Sequence, residues 1–209
     1  MIYTTIAAFV IALCLGLAIT PIAKRLAVRW GLVDHPDQKR KLHKNAIPLA
    51  GGIAVFVSVL AALALVYLLF YDQISTESID WRRLRGLLIA SSVMLLVGVV
   101  DDRFALRGRQ KLLGQIVAAT ILIMEGFRFS SIDLPFLPAM DLQVFSIVVV
   151  YGWILLGINS VNLLDGADGF ATSIGLIMSL ALCIMAFWHD HFAAAMVAAA
   201  MAGALLAFM

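Results

Sequence analysis

The sequence predicts an all-α, polytopic membrane helix bundle with about seven transmembrane helices. Three observations predict it. Mean hydropathy is +1.02, with 63% apolar and only 13% charged residues over 209 positions, too little polar surface to coat a water-soluble globule. Apolar runs near the length that crosses about 30 Å of hydrocarbon recur along the chain. The Lys and Arg residues fall outside those runs and are unevenly shared between alternate connections.

The runs cover approximately 2–23, 46–71, 86–100, 111–126, 143–158, 170–188 and 192–209. In the first, Lys24 and Arg25 follow the apolar stretch instead of preceding it, and no small-residue cleavage site is evident, so it reads as a retained span and not a signal peptide. The third, fourth and fifth are short, which predicts helices that extend past the apolar core or end in polar sites. Assigned to loops, seven cations lie between the first and second spans and four between the third and fourth, against Arg82, Arg83, Arg85 and Arg128 in the opposite loops. By the positive-inside rule this eleven-to-four split places the N-terminus outside and puts the loops at 24–45, 101–110 and 159–169 in the cytoplasm. The outer segment SIDLPFLPAMD, with Pro135 and Pro138, predicts an extended connection, and Trp81 is placed at headgroup level. Cys14 and Cys183 have no metal-ligand or disulfide spacing and read as small apolar filler; His189 and His191 read as loop residues. No linker or internal repeat divides the chain, so residues 1–209 read as a single integral membrane domain.

Three polar islands interrupt this background. Asp101 and Asp102 close the third apolar run. Adjacent helical side chains diverge by about 100°, so one can orient while the other reacts. Two neighbouring acids also recruit a divalent cation or raise one pKa, both useful in phosphate chemistry. The competing reading is a snorkelling helix end paired with Arg103. In NSVNLLDGADG, the residues Asn159, Asn162, Asp165 and Asp168 recur every third position without a local Lys or Arg, and Gly166 and Gly169 permit a turn close to a ligand. Asn amides both donate and accept, while carboxylates accept from N–H and O–H groups or bind a metal. The first cytoplasmic loop carries Lys39, Arg40, Lys41, His43 and Lys44, cations suited to a pyrophosphate or lipid phosphate, or to topology and anionic headgroups alone. Lys111 and Gln115, four apart on one helix face, are further candidates for the same site.

The ordered set GLVDHPDQKRKLHKNAIPLAGG, GVVDDRFALRGRQKLLGQ and GINSVNLLDGADGFATS resembles the polyprenyl-phosphate N-acetylhexosamine-1-phosphate transferases, glycosyltransferase family 4. Within that family Asp34, Pro36, Arg40, Lys41 and His43 resemble the N-acetylglucosamine 1-phosphate branch more than the muramoyl-pentapeptide branch. The resemblance implies transfer of N-acetylglucosamine 1-phosphate from UDP-N-acetylglucosamine to undecaprenyl phosphate, with release of UMP and a requirement for Mg²⁺ or Mn²⁺. This would take place at the cytoplasmic face of a bacterial inner membrane and initiate a cell-envelope polysaccharide such as lipopolysaccharide or teichoic acid. It implies Asp101 and Asp102 as the catalytic pair and metal ligands, with Asp101 the favoured base or phosphate-facing acid. Asn159, Asn162, Asp165, Asp168, Arg40, Lys41, His43, Lys111 and Gln115 would serve the substrates. The partners implied are the UDP-sugar, undecaprenyl phosphate, membrane lipid and a second copy of the chain, and no nucleic acid. The family pattern continues into a Gly-Asp-x-Gly-Ser motif, which carries its principal metal ligand, and a His-rich loop. The sequence stops at AGALLAFM before either, so it reads as the N-terminal part of a longer domain that is inactive alone. The alternatives are an ion or small-solute transporter, for which the acids would lie near the bilayer midplane, and a noncatalytic remnant.

Overall fold

A computed structural model of the chain describes residues 1–34, 47–74, 79–132, 140–164 and 169–209. Seven α-helices occupy the seven expected places: α1 (Ile2–Arg29), α2 (Gly51–Leu69), α3 (Trp81–Phe104), α4 (Gly108–Met124), α5 (Phe145–Leu164), α6 (Phe170–Trp188) and α7 (Phe192–Phe208). Two two-residue antiparallel pairs accompany them, β1 (Val33–Asp34) with β2 (Ile47–Pro48) and β3 (Ser131–Ile132) with β4 (Met140–Asp141). Among the described residues five helices, α1, α2, α3, α5 and α6, and not the seven expected, are long and apolar enough to cross a membrane. At 17 residues each, α4 and α7 are shorter, reaching about 25 Å at 1.5 Å per residue.

The helix ends depart from the expectation that all basic residues sit in loops. Lys24, Arg25 and Arg29 belong to the last turns of α1, Arg82, Arg83 and Arg85 to the start of α3, Arg103 to its end, and Arg109 and Lys111 to the first turn of α4. The reason is length: a 28-residue helix spans about 42 Å and keeps its backbone bonded beyond the hydrocarbon. Asp101 and Asp102 are likewise helical, in the last turn of α3. Extended pairing of Ser131–Ile132 with Met140–Asp141 agrees with the Pro-containing connection predicted there; Pro135 and Pro138 lie outside the described residues.

The chain divides into two compact units, residues 1–79 with 167–209, and residues 80–166. In the first, α7 packs on α1, α2 and α6, and α1 also packs on α2. The α1–α7 seam is built from small residues: Ala8 and Ala12 of α1 and Ala199, Ala200 and Ala204 of α7 are at most 3% exposed. At Gly203 a Cβ would collide with the backbone oxygen of Phe9 and lie 3.1 Å from the amide nitrogen of Leu13. Only glycine lets the two backbones approach this closely, the usual means of helix association where lipid tails are as apolar as the side chains. At the other end of α1, Gly31 (φ 68°) turns the chain out of the helix and Leu32 N–H donates to Ala27 O at 2.8 Å. Leu32 then closes a small core with Ala23, Ala27, Ala50 and Ala54. Ser58, buried in α2, bonds the carbonyl of Ala54 at 2.7 Å, so this intramembrane hydroxyl is satisfied inside its own helix.

In the second unit α4 packs between α3 and α5. Asp80 caps α3 by accepting from Arg83 N–H at 3.0 Å. The α3–α4 pair is an antiparallel hairpin tied at both ends. At the far end Arg85 makes a forked contact with Glu125 at 2.9 Å to each carboxylate oxygen, and Arg82 reaches Met124 O at 2.6 Å. The Arg85 hydrogen bonds hold the Glu125 carboxyl below its ordinary pKa, burial opposing and the charges of Arg85 and Arg82 adding to the effect. At the near end stands the candidate site.

Candidate functional site

The α3–α4 turn is made by Ala105, in the left-handed region at φ 49°, whose N–H donates to Asp101 O at 2.8 Å. The next amide, Leu106 N–H, donates to Asp101 Oδ1 at 3.0 Å. The carboxylate thus closes the turn that follows it. Its other oxygen, Oδ2, meets Lys111 Nζ at 2.6 Å, with the two side chains 26% and 34% exposed. Taken singly, both charges are misplaced, an acid at a helix C-terminus and a base at a helix N-terminus, each disfavoured by about 0.3–1 kcal/mol. Their pairing offsets both. Asp102 follows on the exposed surface, as do Arg103, Arg107 and Arg109, so that cations outnumber acids at this end of the hairpin.

One turn along α4 from Lys111 lies Gln115, 4% exposed. Its amide meets that of Asn159 on α5 head to head: Asn159 Nδ2 donates to Gln115 Oε1 at 2.7 Å, and Gln115 Nε2 donates to Asn159 Oδ1 at 3.3 Å. Asn159 Nδ2 also donates to Leu155 O at 2.8 Å. Asn162 is exposed in the following turn of α5. Farther along the same interface Thr120 Oγ1 and Tyr151 Oη are 2.7 Å apart.

Six of the candidate residues therefore belong to one unit: Asp101 and Asp102 on α3, Lys111 and Gln115 on α4, Asn159 and Asn162 on α5. Contacts tie Asp101 to Lys111 and Gln115 to Asn159. Asp165, Asp168, Arg40, Lys41 and His43 lie outside the described residues. Thr120, Tyr151 and the Leu106 amide are functional partners beyond those the sequence marks. Thr120 and Tyr151 are polar interruptions of apolar runs, five residues after Gln115 and eight before Asn159. That placement on facing helix stripes is the signal that would have found them. The Leu106 amide carries no sequence signal at all.

Asp101 and Asp102 are hard oxygen donors of the kind Mg²⁺ and Mn²⁺ take, with both oxygens of Asp101 engaged by Leu106 and Lys111. Two successive carboxylates supply hard oxygen ligands, and Mg²⁺ is commonly held by one or two carboxylates together with water and substrate phosphates. Among the described residues no group of three or more His, Cys, Asp or Glu side chains gathers into a larger set.

Comparison with known proteins gives the family. The family description "Glycosyl transferase family 4" matches residues 84–209, which include every described candidate residue. The chain is 30% identical over 182 residues, 87% of its length, to a probable undecaprenyl-phosphate N-acetylglucosaminyl 1-phosphate transferase of Bacillus subtilis, of which it covers 48%. It is 30% identical over 196 residues, 88% of its length, to a decaprenyl-phosphate N-acetylglucosaminephosphotransferase of Mycolicibacterium smegmatis, of which it covers 47%. A phospho-N-acetylmuramoyl-pentapeptide-transferase of Halalkalibacterium halodurans matches at 28% identity over the whole chain and 66% of that protein. The chain thus spans about half the length of the first two relatives. With its acidic pair, its Lys111 partner and its Asn-bearing α5 all inside the matched region, the chain belongs to glycosyl transferase family 4.

Proposed function

We propose that the protein transfers N-acetylglucosamine 1-phosphate from UDP-N-acetylglucosamine to undecaprenyl phosphate at the cytoplasmic face of the bacterial inner membrane, as an early step of cell-envelope polysaccharide synthesis. All seven helices, α4 and α7 included, would cross the bilayer within a single membrane domain. One observation carries the reading: in a family 4 chain, Asp101, Asp102, Lys111, Gln115 and Asn159 gather at one end of the second unit. The relatives in Bacillus subtilis and Mycolicibacterium smegmatis, named for N-acetylglucosamine and a polyprenyl phosphate, favour those substrates.

In this reaction an oxygen of the lipid phosphate attacks the sugar-bearing phosphorus of the nucleotide sugar. A new P–O bond forms, the pyrophosphate P–O bond breaks, and UMP leaves with the bonding electrons. The lipid then carries a diphosphate-linked sugar. Phosphate oxygens are already ionised at neutral pH, so positioning and charge neutralisation matter more than a general base. Lys111 fixes Asp101, and the turn amide of Leu106 fixes its other oxygen, so this carboxylate is held in one orientation before substrate arrives. Asp102, one residue on and about 100° around the helix, faces a different direction. Asp102, and Asp101 on exchange of its Lys111 contact, would hold Mg²⁺, which supplies neutralisation of phosphate charge when bound. In this reading Asn162, Asp165 and Asp168 read the nucleotide sugar, and Arg40, Lys41 and His43 counter the phosphates.

The test is release of UMP from UDP-N-acetylglucosamine by the purified full-length gene product in nanodiscs with undecaprenyl phosphate and Mg²⁺, together with isolation of the lipid-linked sugar. Metal-dependent formation of both products is expected. Failure to form either one, by a protein that is folded and lipid-embedded, would overturn the proposal.

A further inference from the structure

We infer that Gln115 and Asn159 form a positioning lock between α4 and α5, and that Asn159 serves the site by fixing α5 and not by donating to the nucleotide sugar. The inference rests on the function proposed above and changes the role of one of its residues.

An Asn amide has two N–H donors and a carbonyl oxygen with two lone pairs. Asn159 spends one donor on Gln115 Oε1 at 2.7 Å and the other on Leu155 O at 2.8 Å, and its Oδ1 accepts from Gln115 Nε2 at 3.3 Å. Both donors are committed. A substrate could bind the Asn159 amide as a donor only by breaking a bond to Gln115 or to Leu155. Gln115 is 4% exposed and would be left with an unmet polar group inside the unit.

The geometry also says what the pair accomplishes. The Thr120–Tyr151 contact at 2.7 Å ties the same two helices farther from the α3–α4 turn. Two ties at different heights fix both the rotation and the register of α5 against α4. Asn162 lies three residues beyond Asn159, about 4.5 Å along the axis, so its position follows directly from the lock. Lys111, four residues before Gln115 on the same α4 face, holds Asp101 in the same way. One helix face therefore sets the acidic pair on one side and the Asn-bearing turn on the other.

A double-mutant cycle in the full-length protein tests this, using Gln115→Leu, Asn159→Leu, the double variant, and the exchanged pair Gln115→Asn/Asn159→Gln. For each variant, kcat, KM for UDP-N-acetylglucosamine and the melting temperature are measured. A lock predicts that each single change lowers kcat roughly tenfold with KM moved less than about twofold, because the site is displaced and no contact is lost. The double variant should be no worse than the worse single variant, and the exchanged pair, which keeps two complementary amides and their summed length, should regain most of the lost rate. A tenfold or larger rise in KM on Asn159→Leu, with Gln115→Leu at wild-type kcat and KM, would overturn the inference. So would losses that multiply in the double variant. If the wild-type protein releases no UMP, the proposed function fails and the lock is still read from the melting temperatures. Non-additive losses support it there, and additive losses overturn it.

Discussion

Replacing Lys111 with Met removes the ammonium while keeping most of the apolar stem. The contact broken is 2.6 Å long, between side chains that are 34% and 26% exposed. At that separation a bare Coulomb term is about 1.6 kcal/mol in water and about 6 kcal/mol at an effective dielectric of 20. Neither limit applies. Fully exposed pairs return about 0.2–1 kcal/mol, and breaking a fully buried pair costs about 3–5 kcal/mol. A pair with roughly a third of its surface in water therefore falls between, at about 1–2 kcal/mol of lost stability after screening. If Lys111 also fixes a carboxylate that acts on the reacting phosphates, turnover should fall much further, about a hundredfold. The control is Glu125→Gln, which breaks the ion pair at the opposite end of the same hairpin. Melting temperature and UMP release would be measured for both variants in lipid nanodiscs. Lys111→Met should lose turnover far out of proportion to its melting shift, and Glu125→Gln should not. Equal losses of turnover per degree of melting shift would show Lys111 to be a second structural clamp and would refute its place in the site.

Asp101→Asn and Asp102→Asn should each lower turnover by about a hundredfold while membrane-inserted protein stays near its normal level, and near-normal turnover in both would reject the acidic pair. Gly203→Val should lower the melting temperature by forcing α1 and α7 apart, at a cost of about 1–3 kcal/mol, and an unchanged melting curve would dismiss the tight seam. Because Glu125 has its pKa depressed in the folded state, its contribution is fully present above about pH 4.3 and is lost as pH falls through the lower folded value. The acid limb of the stability curve should therefore flatten in Glu125→Gln, as followed by melting temperature against pH. Reporter fusions at Lys44, Arg107 and Asp168 should all give the cytoplasmic signal, and a periplasmic signal at any one would break the proposed topology.

The helices were legible in the sequence because apolar run length is a direct response to bilayer thickness, and each of the seven runs holds one helix. Their ends were less so. The backbone of α3 keeps its helical bonds through Trp81–Phe104, although hydropathy marks only 86–100, because polar residues at a membrane surface are as good at continuing a helix as apolar ones. The candidate residues were found by their chemistry, as acids and amides out of keeping with their surroundings. Their partners were not. Nothing in the sequence matches Asp101 to Lys111, since the contact depends on the left-handed residue Ala105 that folds α4 back along α3. The Gln115–Asn159 pairing joins positions 44 residues apart and depends on the rotation of α5, which local patterning does not specify.

The small-residue seam between α1 and α7 has a consequence for biosynthesis. Its two faces are separated by more than 160 residues, from Arg29 to Phe192, which at ordinary translation rates take roughly ten to thirty seconds to make. Throughout that interval the Ala8, Ala12 and Gly16 face of α1 is in the bilayer without the helix it fits. Residues 80–166 form a compact unit of their own and can assemble in the meantime. Birth order therefore favours completion of the α3–α4–α5 unit first. A ribosome paused between Gly166 and Phe192 would leave α1 offering a smooth, glycine-notched groove to whatever membrane helix drifts past until α7 emerges.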